Sequence, residues 1–191
     1  MDAAFFSGYT PPVLTPEDQK TLLELARGAV AAAARREEPP PLPAPSPALR
    51  ENGAAFVTLR AAGELRGCVG HVDAREPLWE SVRDMAFAAA AHDRRFSPVR
   101  PEEIPGIDLE ISVLSPLTPY HPDRFEAGVH GLTVTRGETV GLLLPQVATE
   151  WGWDREEFVR QTFVKAGLTP GDPQARIDVF TVERFGSAAR I

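Results

Sequence analysis

The sequence predicts an α+β fold built mainly on antiparallel sheet, and three observations carry that prediction. Segments with helical apolar spacing and cap signals stand beside segments of strict alternation. The alternating stretches pair off as hairpins. No regular strand–helix–strand rhythm and no repeat of fixed period runs through the chain.

Thr15-Pro16-Glu17-Asp18 is a helix start: a capping hydroxyl, a proline suited to the first helical position, and two acids at the positive helix end. Leu22, Leu25, Ala26, Ala29 and Val30 follow at helical spacing, and the helix is expected to end near Arg36. EEPPPLPAPSPAL, residues 37–49, is read as an extended connector, because its prolines lack donors and fix the backbone.

AFVTLR, a turn at AAGE and LRGCVG form one expected hairpin. Pro77 opens a helix, PLWESVRDMAFAAAAHD, with Trp79, Val82, Met85, Ala86 and Ala89 on one face. After a loop punctuated by prolines, IDLEISVL alternates: Ile107, Leu109, Ile111 and Val113 face one way, Asp108, Glu110 and Ser112 the other. GLTVTRGETVGLLL is a second hairpin turning near Gly137-Glu138, and LPQVATEWG a short helix. Asp154 with Glu157 caps the helix DREEFVRQTFVKAG, which Gly167 ends in the left-handed conformation. RIDVFTVERF is expected as one final strand.

With 43% apolar and 25% charged residues the 191-residue chain has a globular composition. A net charge of −7, without a dense basic cluster, argues against nucleic acid as a partner. A single cysteine allows no internal disulfide, and MDAAFFSGYT has no basic region and apolar core of a secretory signal, so a cytoplasmic location is expected. The alanine-rich run VAAAA is far shorter than the ~20 apolar residues of a membrane span. Dinucleotide, phosphate-loop, HExxH and GxSxG signatures are absent, as is the three-cysteine cluster of a radical SAM enzyme.

LRGCVG, HDRRFSPVRPEEIPGIDLEISVLSP and HGLTVTRGETVGLLLPQVATEWGWDREEFVRQTFVKAGL occur in an order that resembles the AMMECR family, whose bacterial and archaeal members are called AmmeMemoRadiSam system protein A. The resemblance covers residues 15–186, leaving 1–14 as an extension and 187–191 as a tail. It implies two subdomains, with the smaller one expected within about residues 55–130. It also implies a cellular context, shared with a Memo-like protein and a radical SAM enzyme, but no established reaction. The family signature falls on Leu65, Arg66, Gly67, Cys68 and Gly70, and its aspartate-x-arginine-phenylalanine element on Asp93, Arg95 and Phe96. Glu110 and Ser112, His130-Gly131, and Leu144-Pro145-Gln146 match later elements. The chain departs from the family in having Phe163 where many relatives carry a second cysteine, TPGDPQ where they carry a tryptophan, and His71 where they usually lack histidine.

The leading expectation is an accessory or substrate-handling protein with a small pocket around Arg66, Gly67, Cys68, Gly70, Asp93, Arg95, Glu110 and His130. In that pocket Arg66 and Arg95 bind a small anionic group, Glu110 orients an arginine, and Cys68 lines the site. No cofactor is expected. Two readings stay open beside it. In one, Cys68 is a thiolate nucleophile for group transfer, activated by Arg66 or by the helix that begins at Pro77, with His130 or His71 as proton acceptor. In the other, the glycines merely shape a turn and the chain is a structural interaction protein. A zinc site pairing Cys68 and His71 with His92, His121 or His130 is disfavoured, because the ligands are few and scattered.

Overall fold

The computed structural model of the chain describes residues 14–42 and 44–186. They divide into two compact units: residues up to Leu114 together with Glu183 onward, and Ser115–Val182. The expected smaller subdomain, residues 55–130, overlaps the smaller unit only from 115 to 130. Of the expected extension and tail, all but Leu14 lie outside the described residues.

In the larger unit, α1 (Pro16–Arg35) begins and ends where its caps dictate. The Thr15 hydroxyl accepts from the Asp18 N–H, the Asp18 carboxylate accepts from the Thr15 N–H, and Arg36 turns left-handed at φ 61°. The connector is less extended than its prolines imply. Ser46 caps a single helical turn, α2 (Pro47–Arg50), whose first position suits a proline because no N–H is needed there. The same Ser46 hydroxyl donates to Asp18 at 2.6 Å, fastening the connector to the start of α1.

β1 (Ala54–Ala61) and β2 (Glu64–Gly70) form the first hairpin, followed by α3 (Leu78–Ala91) and β3 (Ile107–Leu114). Leu22, Ala26 and Ala29 of α1, Val82 and Ala86 of α3, Val57 and Leu59 of β1, and Leu109 and Ile111 of β3 make one core. Each buried Leu, Ile or Val side chain contributes roughly 1.5–3 kcal/mol. Alanine faces let the helices lie close. On the face opposite Ile107, Leu109, Ile111 and Val113, Ser112 is buried and Asp108 and Glu110 are half-buried.

The smaller unit contains β4 (Thr118–Pro119), β5 (Gly131–Arg136), β6 (Thr139–Leu143), α4 (Pro145–Trp151), α5 (Arg155–Lys165) and β7 (Arg176–Phe180), with sheet order β4-β7-β5-β6. Leu132, Val134, Phe158 and Phe163 are buried in its core, so the residue that replaces a family cysteine is a packing residue here. The expected final strand is two strands. It breaks at Thr181, whose N–H donates to the Ser115 hydroxyl and whose carbonyl accepts the Ser115 N–H, and β8 (Val182–Gly186) joins the other sheet, ordered β2-β1-β3-β8. Strand-favouring residues run through that break, and only the apolar phase shifts, from Ile177 and Val179 to Phe180 and Val182. Among the described residues no helix is long and apolar enough to cross a membrane.

α3 touches β2 backbone to backbone. A Cβ added at Gly67 would lie 2.3 Å from the Ala89 carbonyl oxygen, a contact no rotamer change can relieve. Gly67→Ala is therefore expected to destabilise the protein by about 2–3 kcal/mol in urea unfolding. Gly106→Ala, which meets nothing within 4 Å, should stay within about 0.5 kcal/mol of the unmodified chain.

Candidate functional site

The hairpin register explains how LRGCVG is used. Leu59 pairs with Gly67 and Arg60 with Leu65, so Arg66 is an extra, bulged residue. A bulge re-aims its side chain. Arg66 accordingly leaves the plane of its neighbours and donates from Nε and Nη2 to the two carboxylate oxygens of Glu103, at 2.8 and 3.2 Å, and from Nη1 to the Ser97 carbonyl at 2.9 Å. Glu103 also accepts the Arg100 N–H. The Arg66 guanidinium, aided by that N–H and opposed by burial, holds the Glu103 carboxyl at about 2.

Cys68 pairs with Thr58 on β1, but its own N–H and carbonyl point to the open edge of β2. There the N–H donates to Asp93 Oδ2 at 2.8 Å and the carbonyl accepts from Arg95 Nη2 at 3.2 Å. The Arg95 guanidinium donates to Asp93 through two bonds, of 2.9 and 2.7 Å, and the Arg95 N–H adds a third at 3.2 Å. This side-chain pair occupies the place of one residue of a neighbouring strand, and so closes an edge that is otherwise free to pair with another chain. Asp93 is held well below the ordinary carboxylate range, chiefly by the Arg95 hydrogen bond, against burial and with help from the Cys68 N–H.

The Cys68 sulfur accepts from the Thr58 hydroxyl at 3.4 Å. It also contributes, after Asp93, to favouring the Arg95 cation, so sulfur and guanidinium are within electrostatic reach. Neither group expected to activate the thiol, Arg66 or the start of α3, is bonded to the sulfur. Arg66 is committed to Glu103, and the part of α3 beside Gly67 and Cys68 is its last turn, at Ala89, where helix carbonyls disfavour an anion. Gly70 has a packing reason of its own: a Cβ there would meet the Phe56 ring at 2.3 Å.

His71 pins its own loop. Its Nδ1 lies 2.7 Å from the Asp73 carbonyl, and its Nε2 lies 3.0 Å from the Ser81 hydroxyl and 3.2 Å from Glu76. Among the described residues no three His, Cys, Asp or Glu side chains converge as a metal-binding group. Glu110 stands across β1 from Cys68, since both pair with Thr58. Its arginine is neither Arg66 nor Arg95 but Arg184, at 3.7 Å on β8.

The remaining expected residues belong to the smaller unit. Gln146 is half-buried in the first turn of α4, behind Pro145. His130 accepts the Glu126 N–H on Nδ1 at 3.1 Å and lines a cleft of about 390 Å³ with Ser115, Thr118, His121, Arg124 and Phe125. The structure thus gathers Arg66, Gly67, Cys68, Asp93 and Arg95 at one sheet edge, places Glu110 two strands away, and puts His130 in a separate cleft.

Glu103, Thr58 and Arg124 escaped the sequence reading. Thr58 could be found by counting back across the AAGE turn. Glu103 and Arg124 carry no local signal beyond their proline turns, Pro101–Gly106 and Pro122–Arg124.

Both carboxyls at the edge are depressed, so the unfolded chain binds their protons more readily, and stability rises with pH across their range. The contribution is complete above the ordinary carboxylate range and is lost as pH falls from about 4.5 toward 2. Urea midpoints measured over that range should fall, and Glu103→Gln should flatten the fall. Asp93→Asn is expected to cost about 1–3 kcal/mol at neutral pH and to speed hydrogen exchange at the Cys68 amide.

The AMMECR1 family model matches residues 23–185. A protein of Methanothermobacter thermautotrophicus is 43% identical over 188 residues, covering 93% of this chain and 97% of that one. A protein of Methanopyrus kandleri is 39% identical over 185 residues, covering 90% and 89%. An uncharacterized protein of Pyrococcus horikoshii, solved by crystallography, superposes with a TM-score of 0.85 at 36% identity, covering 91% of this chain and 93% of that one. The order of motifs, the two antiparallel sheets with their helices and these matches agree: the chain belongs to the AMMECR1 family.

Proposed function

We propose that this protein is an accessory component that handles a small anionic ligand for a system containing a Memo-like and a radical SAM protein, and performs no covalent chemistry of its own. The observation that carries this reading is the internal use of the groups in LRGCVG that look reactive. Arg66 is spent on Glu103, Arg95 on Asp93, and the backbone of Cys68 on both members of the Asp93–Arg95 pair. A nucleophile needs an adjacent base and room for an acceptor, whereas the neighbours of this sulfur are the Thr58 hydroxyl and the Arg95 guanidinium, neither of them a base. The family resemblance supplies the partners.

The competing reading, Cys68 as a group-transfer nucleophile, draws on one observation: the Arg95 guanidinium lies within electrostatic reach of the sulfur. Two measurements separate the readings. Alkylation of the folded protein by iodoacetamide near neutral pH should be slow and should accelerate in urea; rapid, selective modification of the native thiol would favour the nucleophile. Affinity purification from native cells should recover a Memo-like or a radical SAM protein, with Cys68→Ala as effective a bait as the unmodified chain. Recovery of neither partner overturns the proposal.

A further inference from the structure

The cleft of the smaller unit differs in its electrostatics from the edge of β2. Four of the five arginines in this unit are occupied: Arg136 with Asp172, Arg160 with Glu157, Arg176 with Asp178, and Arg155 with the Pro122 carbonyl. Arg124 is the fifth, and its guanidinium has no hydrogen-bond or carboxylate partner among the described residues. In a chain of net charge −7 an unspent arginine on a concave surface is a notable departure.

His121 stands at the start of the same short turn, its carbonyl accepting the Arg124 and Phe125 N–H groups, and its imidazole makes no hydrogen bond among the described residues. His130, which lines the same cleft, has its Nδ1 occupied as an acceptor, so in the neutral ring the proton sits on Nε2 as a donor. Two hydroxyls are already engaged: Ser115 donates to the Pro116 carbonyl and accepts from the Thr181 N–H, and Thr118 donates to the Val179 carbonyl. Asp123 and Glu126, on the same loop, are exposed and do not line the cleft. The side-chain groups left for a ligand are therefore two imidazoles, a guanidinium and the Thr181 hydroxyl, beside the Phe125 ring and Val179.

We infer that this cleft is an oxyanion seat for a small carboxylate or phosphate compound, with Arg124 as the charge partner, Nε2 of His130 as a directed donor, and Phe125 and Val179 against the ligand's apolar body. The volume, about 390 Å³, suits a ligand of that size. The inference rests on the ligand-handling part of the function proposed above and locates the ligand away from LRGCVG.

The test is titration of the full chain with benzoate and, separately, with inorganic phosphate, followed by calorimetry and by the imidazole nitrogen signals of His121 and His130. Saturable binding that moves the His130 signal is expected with at least one probe, and which probe binds tells a carboxylate site from a phosphate site. Arg124→Gln should weaken binding at least about tenfold and Arg124→Lys less, because a bidentate guanidinium contact is lost in both but the charge in only one. Arg94→Gln, which removes the same charge from the other unit, should leave binding unchanged. Absence of saturation by either probe up to about 10 mM, or equal weakening by Arg124→Gln and Arg94→Gln, overturns the seat. Binding abolished by Arg95→Gln and untouched by Arg124→Gln also overturns it, but leaves the ligand-handling reading standing, with its ligand at the β2 edge.

Discussion

The constraint on which the motif region depends is the approach of α3 to β2 at Gly67, where strand and helix meet through backbone atoms. No side chain larger than hydrogen fits there. That approach brings the residues just after α3 to the open edge of β2, and so puts Asp93 within reach of the Cys68 N–H. The bulge at Arg66 completes the arrangement by turning one side chain out of the alternation toward Glu103 on the following turn. Three short elements are thus held by two arginine–carboxylate pairs and one glycine, and the conspicuous thiol is a bystander to most of it.

Partner choice separates the two arginines of the motif region from Arg124. Each forms a two-pronged pair with a carboxylate of this chain, and each pair also binds backbone groups, so releasing the carboxylate for a ligand would leave polar atoms unpaired. Burial raises the cost: Arg66 is 14% exposed and Asp93 6%. Arg124 has no such ties, and the physical difference between the two regions lies in this, not in their residue types.

Much of the fold was legible because its signals are local. Thr15 and Asp18, Asp154 and Glu157, and Gly167 each act within one helical turn, and the helices they bound lie where spacing and caps place them. Both hairpins follow from short turns between alternating runs. The single strand expected over RIDVFTVERF failed for the converse reason. Its residues favour extended backbone throughout, but whether a strand continues depends on which partner holds its backbone, and Ser115, 66 residues earlier, holds Thr181. Phe163 shows the same limit: the substitution was visible in the sequence, its burial in the core was not.

By itself the sequence determined the fold class, the bounds of the capped helices α1 and α5, the hairpins and the residues of the family signature, all of which depend on neighbours a few positions apart. Only the tertiary structure decided that Arg66 belongs to Glu103, that Asp93 and Arg95 close the edge at Cys68, that Glu110 meets Arg184, and that Arg124 is left over. Each of those outcomes is a choice among several carboxylates for one guanidinium. Sequence states how many of each exist, but distance decides which pair forms, and distance between remote residues arises only when helices and strands pack.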